Sequence, residues 1–225
     1  MVRVSGVPYE VDLPVSTVSL VWSTPRMEDL IAYMARISNP DNQDNPDYER
    51  LLRYLIRHQH WSPFEMVNVC MEINCTRDIA RQILRHRSFT FQEFSQRYAE
   101  SSNYMISDAR LQDLKNRQAS LETDRADLKA RWYSDQSEVL ETALRAYKGA
   151  LQAGIAKEVA RKVLPEGLTM SRMYVNGTLR SWIHYVQLRC GPETQKEHRE
   201  IALKCRTILE DLCPTVMSSL QHPAV

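Results

Sequence analysis

Cysteine is sparse in this 225-residue chain and follows no pattern. Five occur, at positions 70, 75, 190, 205 and 213, an odd number with no Cys-x-x-Cys spacing. That gives no support to a disulfide framework or a zinc ribbon. Only six glycines are present, which excludes collagen-like and Gly-rich repeats. There is also no Gly-rich phosphate loop of Rossmann or Walker type, so a nucleotide held here must be gripped by other means. No apolar run approaches the roughly 18 residues of a membrane span. Met1 to Pro14 carries Arg3, Glu10 and Asp12 and lacks the apolar core of a signal peptide. A charge excess is missing too: 29 Lys and Arg face 28 Asp and Glu, a net +1. A dedicated duplex-binding protein normally carries a large basic excess. What is present is a hydrophobic fraction of 43% in a length suited to one domain. The expectation is a soluble protein of a reducing compartment, the cytoplasm, with no membrane partner.

The patterns along the chain are mostly helical. Val15 to Trp22 is β-branched and predicts a strand. Thr24-Pro25 has the form of a helix start. Ser38 to Asp47 is dense in turn formers and predicts a loop, followed by a helix carrying Leu51, Leu52, Leu55 and Ile56. Ser62 to Glu65 has capping-box spacing and predicts a short helical turn. In Met66 to Cys75, Val67, Val69, Met71, Ile73 and Cys75 share one face of a half-buried strand. Thr76 is placed to cap a helix running to about Arg87. Ser88 to Tyr104 predicts an ordered loop or broken strand, and Asp108 to Gly154 two helices with a break near 119–123. A short helix over Ile155 to Leu164, a strand over Thr169 to Val175 and a helix capped by Thr178 follow. The last helix, Glu193 to Leu212, is expected to stop at Pro214. Residues 1–225 therefore predict one helix-rich α/β or α+β domain, a small central sheet flanked by helices.

The chemistry concentrates between Arg77 and Tyr98, where five Arg stand against Asp78 and Glu93. Gln82 and Arg85 are three apart, Arg81 and Arg85 four apart, spacings that share a helix face. Guanidinium forks suit phosphate and carboxylate. Arg85 and Arg87 fit equally well as ordinary cations at a helix C-terminus. If the next segment is extended, Glu93, Ser95 and Arg97 point the same way and make a polar wall, or else a plain exposed strand. Ser95 as a nucleophile needs an adjacent base. His58 and His60 lack the further ligands of a metal site, and no metal is expected. Cys190 is reactive only if exposed.

The segment RHRSFTFQEFSQRY at 85–98 resembles the signature of flavin-dependent thymidylate synthases, Arg-His-Arg-x-x-Ser-x-Asn-x-x-Ser followed by x-Arg-Tyr. Arg85, His86, Arg87, Ser95, Arg97 and Tyr98 match, while Thr90 and Gln92 stand where Ser and Asn are usual. The resemblance continues through Ala35 to Ser38, His60 to Glu65, Ala80 to Gln82, Val159 to Pro165, and Leu188-Arg189 with Gln195, in the family's order. It implies reductive methylation of dUMP to dTMP, with methylenetetrahydrofolate as carbon donor and FAD, reduced by NADPH, as hydride source. It further implies no enzyme nucleophile and a homotetramer with shared active sites. By resemblance, Gln82, Arg85, Glu93, Phe94, Ser95, Gln96, Arg97, Arg161 and Arg189 form the dUMP pocket, with Arg189 polarising the uracil. Ser38, Ser62, Arg85, His86, Arg87, Glu93, Thr178, Leu179, Arg180 and His184 are the implied FAD contacts, and His60 lies near the flavin edge. Thr178 and His184 stand where some relatives carry Asn, and Glu193 where some carry His.

Two other readings compete. Arg85, Arg87 and Arg97, interleaved with Phe89, Phe91, Phe94 and Tyr98, have the form of a single-stranded nucleic-acid stacking surface. The long 108–154 segment would serve a purely structural helical protein as an interaction surface.

Overall fold

The computed structural model describes residues 15–220. The N-terminal segment Met1 to Pro14 lies outside the described residues. Four antiparallel strands make the main sheet: β1 (Thr17–Ser23), β2 (Asn68–Thr76), β3 (Thr90–Glu93) and β6 (Met170–Thr178), in the order β1-β2-β6-β3. β2 and β6 pair along their whole length, from Asn68 opposite Thr178 to Thr76 opposite Met170. Val69, Met71, Ile73 and Cys75 on β2, with Met173 and Val175 on β6, turn inward as the alternation requires.

Helices cover the sheet: α1 (Met27–Ala35), α2 (Glu49–Arg57), α3 (Arg77–Ile83), α6 (Leu179–Arg189), α7 (Lys196–Leu212) and α8 (Pro214–Ser219). Trp182 of α6 is wholly buried and donates its indole N–H to Val69 O at 2.9 Å, locking helix to sheet. α2 turns Leu52, Leu55 and Ile56 inward against α8. Glu28 of α1 accepts from Val216 N at 2.8 Å, supplying the acidic partner at the start of α8. Apart from this core stand a two-stranded hairpin, β4 (Leu111–Gln112) with β5 (Ser120–Leu121), the long α4 (Ala126–Gln152) and the short α5 (Lys157–Ala160). No described helix is long and apolar enough to cross a membrane. The antiparallel sheet places the fold on the α+β side of the expectation.

Several local expectations are corrected. Thr24 does not cap α1; its hydroxyl accepts from Asn68 N at 2.9 Å and extends the sheet, leaving Arg26 at φ 51 to start the helix. Ser62–Glu65 forms the expected turn as a 3-10 helix, but without a capping box, because Glu65 is drawn to Arg180. α3 stops at Ile83 rather than near Arg87. The 108–154 segment holds the hairpin and one helix, not two helices, because Asp113 and Asn116 close a turn through their side chains. Pro214 ends α7 but also opens α8, occupying the first helical position where its missing N–H costs nothing.

Candidate active site

The first part of the site is built where α3, α6 and α7 meet. Beyond Ile83 the chain turns tightly, with Arg85 N donating to Gln82 O and His86 N to Ile83 O. The turn buries His86 and leaves Arg85 and Arg87 exposed on either side. The His86 ring meets Tyr185 edge-on at 5.0 Å. Its Nε2 accepts from Arg189 Nε at 3.0 Å. Burial, then Arg189, then His184, lower the His86 pKa to about 4, so the ring is neutral and free to accept. Arg189 spends only Nε on this bond. Neither of its terminal nitrogens has a partner among the described residues, and both remain for a ligand. Gln82 lies alongside, bonded to Gln195 at 2.7 Å and to His198 at 3.2 Å.

A second part is a cleft of ≈ 430 Å³ at the start of α6, lined by Trp61, Glu65, Ser88, Arg180, His184 and Gln187 among others. Thr178 caps α6 as expected, accepting from Ser181 N at 3.3 Å. Arg180 forms an ion pair with Glu65. Ser62 is exposed in the turn beside Trp61, and Ser38 is exposed just past α1. His60 is exposed and meets Tyr54 edge-on and His58 at a tilt, ring centres 5.9 and 6.1 Å away. Leu179 is fully buried, and its N–H is taken by Val67 O at 2.9 Å.

The third part lies around β3 and α5. Glu93 accepts from Ser171 Oγ at 2.7 Å and faces Arg77 at 3.5 Å. β3 ends at Glu93, so Ser95 and Arg97 fall in the following turn and do not continue a strand face. Arg97 pairs with Glu158 at 3.3 Å, and Arg161 Nε donates to Glu158 O at 3.4 Å. Ser95 Oγ accepts from Arg97 N at 3.3 Å and has no imidazole partner among the described residues. Phe94 is half-buried beside the sheet, its N–H donated to Arg172 O, and Gln96 is buried, donating to Ser101 Oγ. No hydrogen bond or ion pair among the described residues joins the Arg97–Arg161 group to the Gln82–Arg189 group.

Two further candidates lose their chemistry here. Cys190 is half-buried and burial raises its pKa, as it does for the other four thiols. The aromatic residues offered as a stacking surface are also largely unavailable: Phe89 is buried 4.5 Å from Trp182, and Phe91 packs on Phe89 at 6.2 Å. Only Tyr98 is widely exposed. Phe89 and Phe91 are interleaved with the cationic residues because their rings pack toward the core.

A model of the thymidylate synthase complementing protein family matches residues 19–215. The chain belongs to the flavin-dependent thymidylate synthase family. A member from Synechocystis sp., named flavin-dependent thymidylate synthase, is 52% identical over 86% of this chain and 89% of its own length. One from Paramecium bursaria Chlorella virus 1, named a probable flavin-dependent thymidylate synthase, is 46% identical over 86% and 90%. Among solved structures, the UMP/dUMP methylase PolB from Streptomyces cacaoi, bound with 5-Br dUMP, superposes with a TM-score of 0.81 at 29% identity, covering 93% of this chain and 96% of that one.

Within this flavin-dependent synthase, the sequence carries no sign of the roles of Tyr185, Glu197 and Arg110, and it marks Glu65 only as a capping residue. His198 left one trace: it is the polar member of the inward stripe His198, Ile201, Ala202 and Cys205 on α7. The pairings of Glu65 with Arg180 and of Arg110 with Glu197 left none, since these partners are 115 and 87 residues away.

Proposed function

We propose that residues 1–225 act as one domain that converts dUMP to dTMP by reductive methylation, taking the carbon from methylenetetrahydrofolate. The observation that carries this reading is Arg189, held through Nε by a neutral His86 beside Gln82, with both terminal nitrogens unpartnered among the described residues. Arg189 is the catalytic residue in this reading. Its guanidinium stabilises negative charge that develops on the uracil as C5 becomes nucleophilic, and His86 keeps it from rotating away. Arg85, Gln82 and Arg161, with the Glu93–Arg97 segment, hold the rest of dUMP. That the related PolB was solved with 5-Br dUMP supports a uracil nucleotide as substrate.

The residues around the cleft suit a flavin. Trp61 offers an aromatic wall, Arg180 and His184 polar groups, and exposed Arg87, next in sequence to the lining Ser88, a fork for a diphosphate. FAD, reduced by NADPH, supplies the hydride when bound. Ser38, Ser62, His86 and the Thr178–Leu179 turn complete its surround, with His60 at the edge. Among the described residues every cysteine is kept as a thiol by burial and Ser95 has no base beside it, which supports a reaction without an enzyme nucleophile.

Arg97 and Arg161 share Glu158, and no hydrogen bond or ion pair among the described residues joins them to Gln82, Arg85 and Arg189. A pocket using both sets takes them from different copies, in a homotetramer with shared sites. The half-exposed Leu20, Val21 and Trp22 of β1 and Trp132 and Val139 of α4 offer surface for such contacts.

The test is turnover of FAD-loaded protein with dUMP, NADPH and methylenetetrahydrofolate. dTMP should form, and Arg189→Ala should cost about 10²–10³ in kcat while the protein stays folded. Absence of dTMP from flavin-loaded protein would overturn the reading.

A further inference from the structure

Six polar side chains form a row from the start of the hairpin to the middle of α6, and one end fixes the direction of every bond in it. Arg110 Nη2 donates to Glu197 Oε1 at 2.6 Å, and both side chains are largely buried. Burial opposes ionisation of Glu197, but its own backbone N–H and Arg110 outweigh it and hold the carboxyl below its usual value. An ionised carboxylate only accepts. Gln195 Nε2 therefore donates to Glu197 Oε2, at 3.1 Å, and turns Oε1 toward Gln82. Gln82 must answer with Nε2, at 2.7 Å, which leaves its Oε1 facing His198 Nδ1 at 3.2 Å. That nitrogen must then carry the proton. Nε2 of His198 keeps the lone pair and accepts from the Tyr185 hydroxyl at 3.2 Å. His198 is wholly buried, and burial, with Arg189 and His86 adding to it, lowers its pKa to about 4, so a single neutral tautomer serves both neighbours.

We infer that His198 is a positioning residue: as the Nδ1–H tautomer it fixes the carboxamide of Gln82, and the buried Arg110–Glu197 pair sets the direction of the row. The inference rests on the reading that Gln82 lines the dUMP pocket. A carboxamide that flips exchanges donor for acceptor at the ligand, so holding it one way round decides what Gln82 offers. Arg110 Nε also donates to Ser120 Oγ at 2.9 Å, so the β4–β5 hairpin anchors the far end.

The imidazole ¹⁵N shifts of the full ¹⁵N-histidine-labelled chain at pH 7 test the row without any ligand, with the His198 signals identified by their loss in His198→Asn. Nδ1 should be protonated and Nε2 not. Glu197→Gln, which does not touch His198 but can donate as well as accept, should populate both tautomers. An Nε2–H or doubly protonated His198 in the unaltered chain, or a tautomer indifferent to Glu197→Gln, overturns the inference. Kinetics test the consequence. His198→Leu should raise KM for dUMP about five- to tenfold, the worth of one neutral hydrogen bond, with kcat little changed. His198→Asn, whose amide N–H falls near the lost Nδ1–H, should return KM to within about twofold. If Gln82→Leu raises KM but His198→Leu does not, or if Asn rescues nothing, the positioning role falls and the dUMP reading stands. If Gln82→Leu leaves KM unchanged, the dUMP reading falls, and the tautomer measurement still decides the row. Should His198→Leu not fold, the shifts and the Asn variant decide.

Discussion

His86 sits between two exposed arginines yet is itself buried, and that alternation explains the Arg-His-Arg run. The arginines face outward, where they can meet anions, and the histidine faces Arg189. The motif was legible because it is local: three consecutive residues and a tight turn suffice. His198 was not, because its partners, Gln82 and Tyr185, stand on two other helices. Both histidines carry lowered pKa values, near 4, through burial. The unfolded chain then binds more protons than the native one between roughly pH 6.5 and pH 4, so stability is full above that window and falls as pH drops through it. We expect the urea midpoint to fall from pH 7 to pH 5, and to fall less in His198→Asn, which has one buried imidazole fewer to charge. A midpoint as high at pH 5 as at pH 7 would contradict this.

Strands and helix starts show what a single sequence reveals about an element. The period of two in Val67 to Cys75 identified β2 and its buried face, because Val69, Met71, Ile73 and Cys75 meet the core while Asn68, Glu72 and Asn74 are only partly covered. Thr178 was readable as a cap, and Thr178→Ala should cost about 1 kcal/mol in a urea titration. The hairpin at 111–121 was misread as helix because its charged composition resembles a solvated helix, and only side-chain bonds from Asp113 and Asn116 commit it to a turn. Gly177 was not singled out at all. A Cβ there would lie 2.3 Å from Phe89 Cδ1, and Phe89 is already confined by Trp182 and Tyr185. Gly177→Ala should therefore destabilise by about 1–3 kcal/mol, read from the shift in denaturation midpoint. Phe89→Leu in the same background should recover part of the loss.

At the scale of the molecule, Gln82, His86 and Arg189 gather around His198, and Arg97 and Arg161 around Glu158, with no hydrogen bond or ion pair among the described residues between the two groups. Sequence order could not reveal this separation, since Arg85 and Arg97 are twelve positions apart and read as one cluster. Turns after Ile83 and after Glu93 send them to different neighbours. α4 adds to the picture: of its 27 residues only Gln136, Ala143 and Tyr147 are buried, so most of that helix awaits a neighbour or solvent. In a closed oligomer such surfaces pair with copies of the same chain. We expect the solution mass to be about four times the 26.2 kDa chain. The deciding measurement is subunit complementation. Arg97→Ala and Arg189→Ala chains, each inactive alone, are mixed in equal amounts under conditions that exchange subunits, and dTMP formation is followed. Sites that draw the two arginines from different copies should regain about a quarter of unaltered turnover. If the mixed, FAD-bearing oligomer stays inactive, both arginines belong to one chain's pocket, and the shared site is wrong.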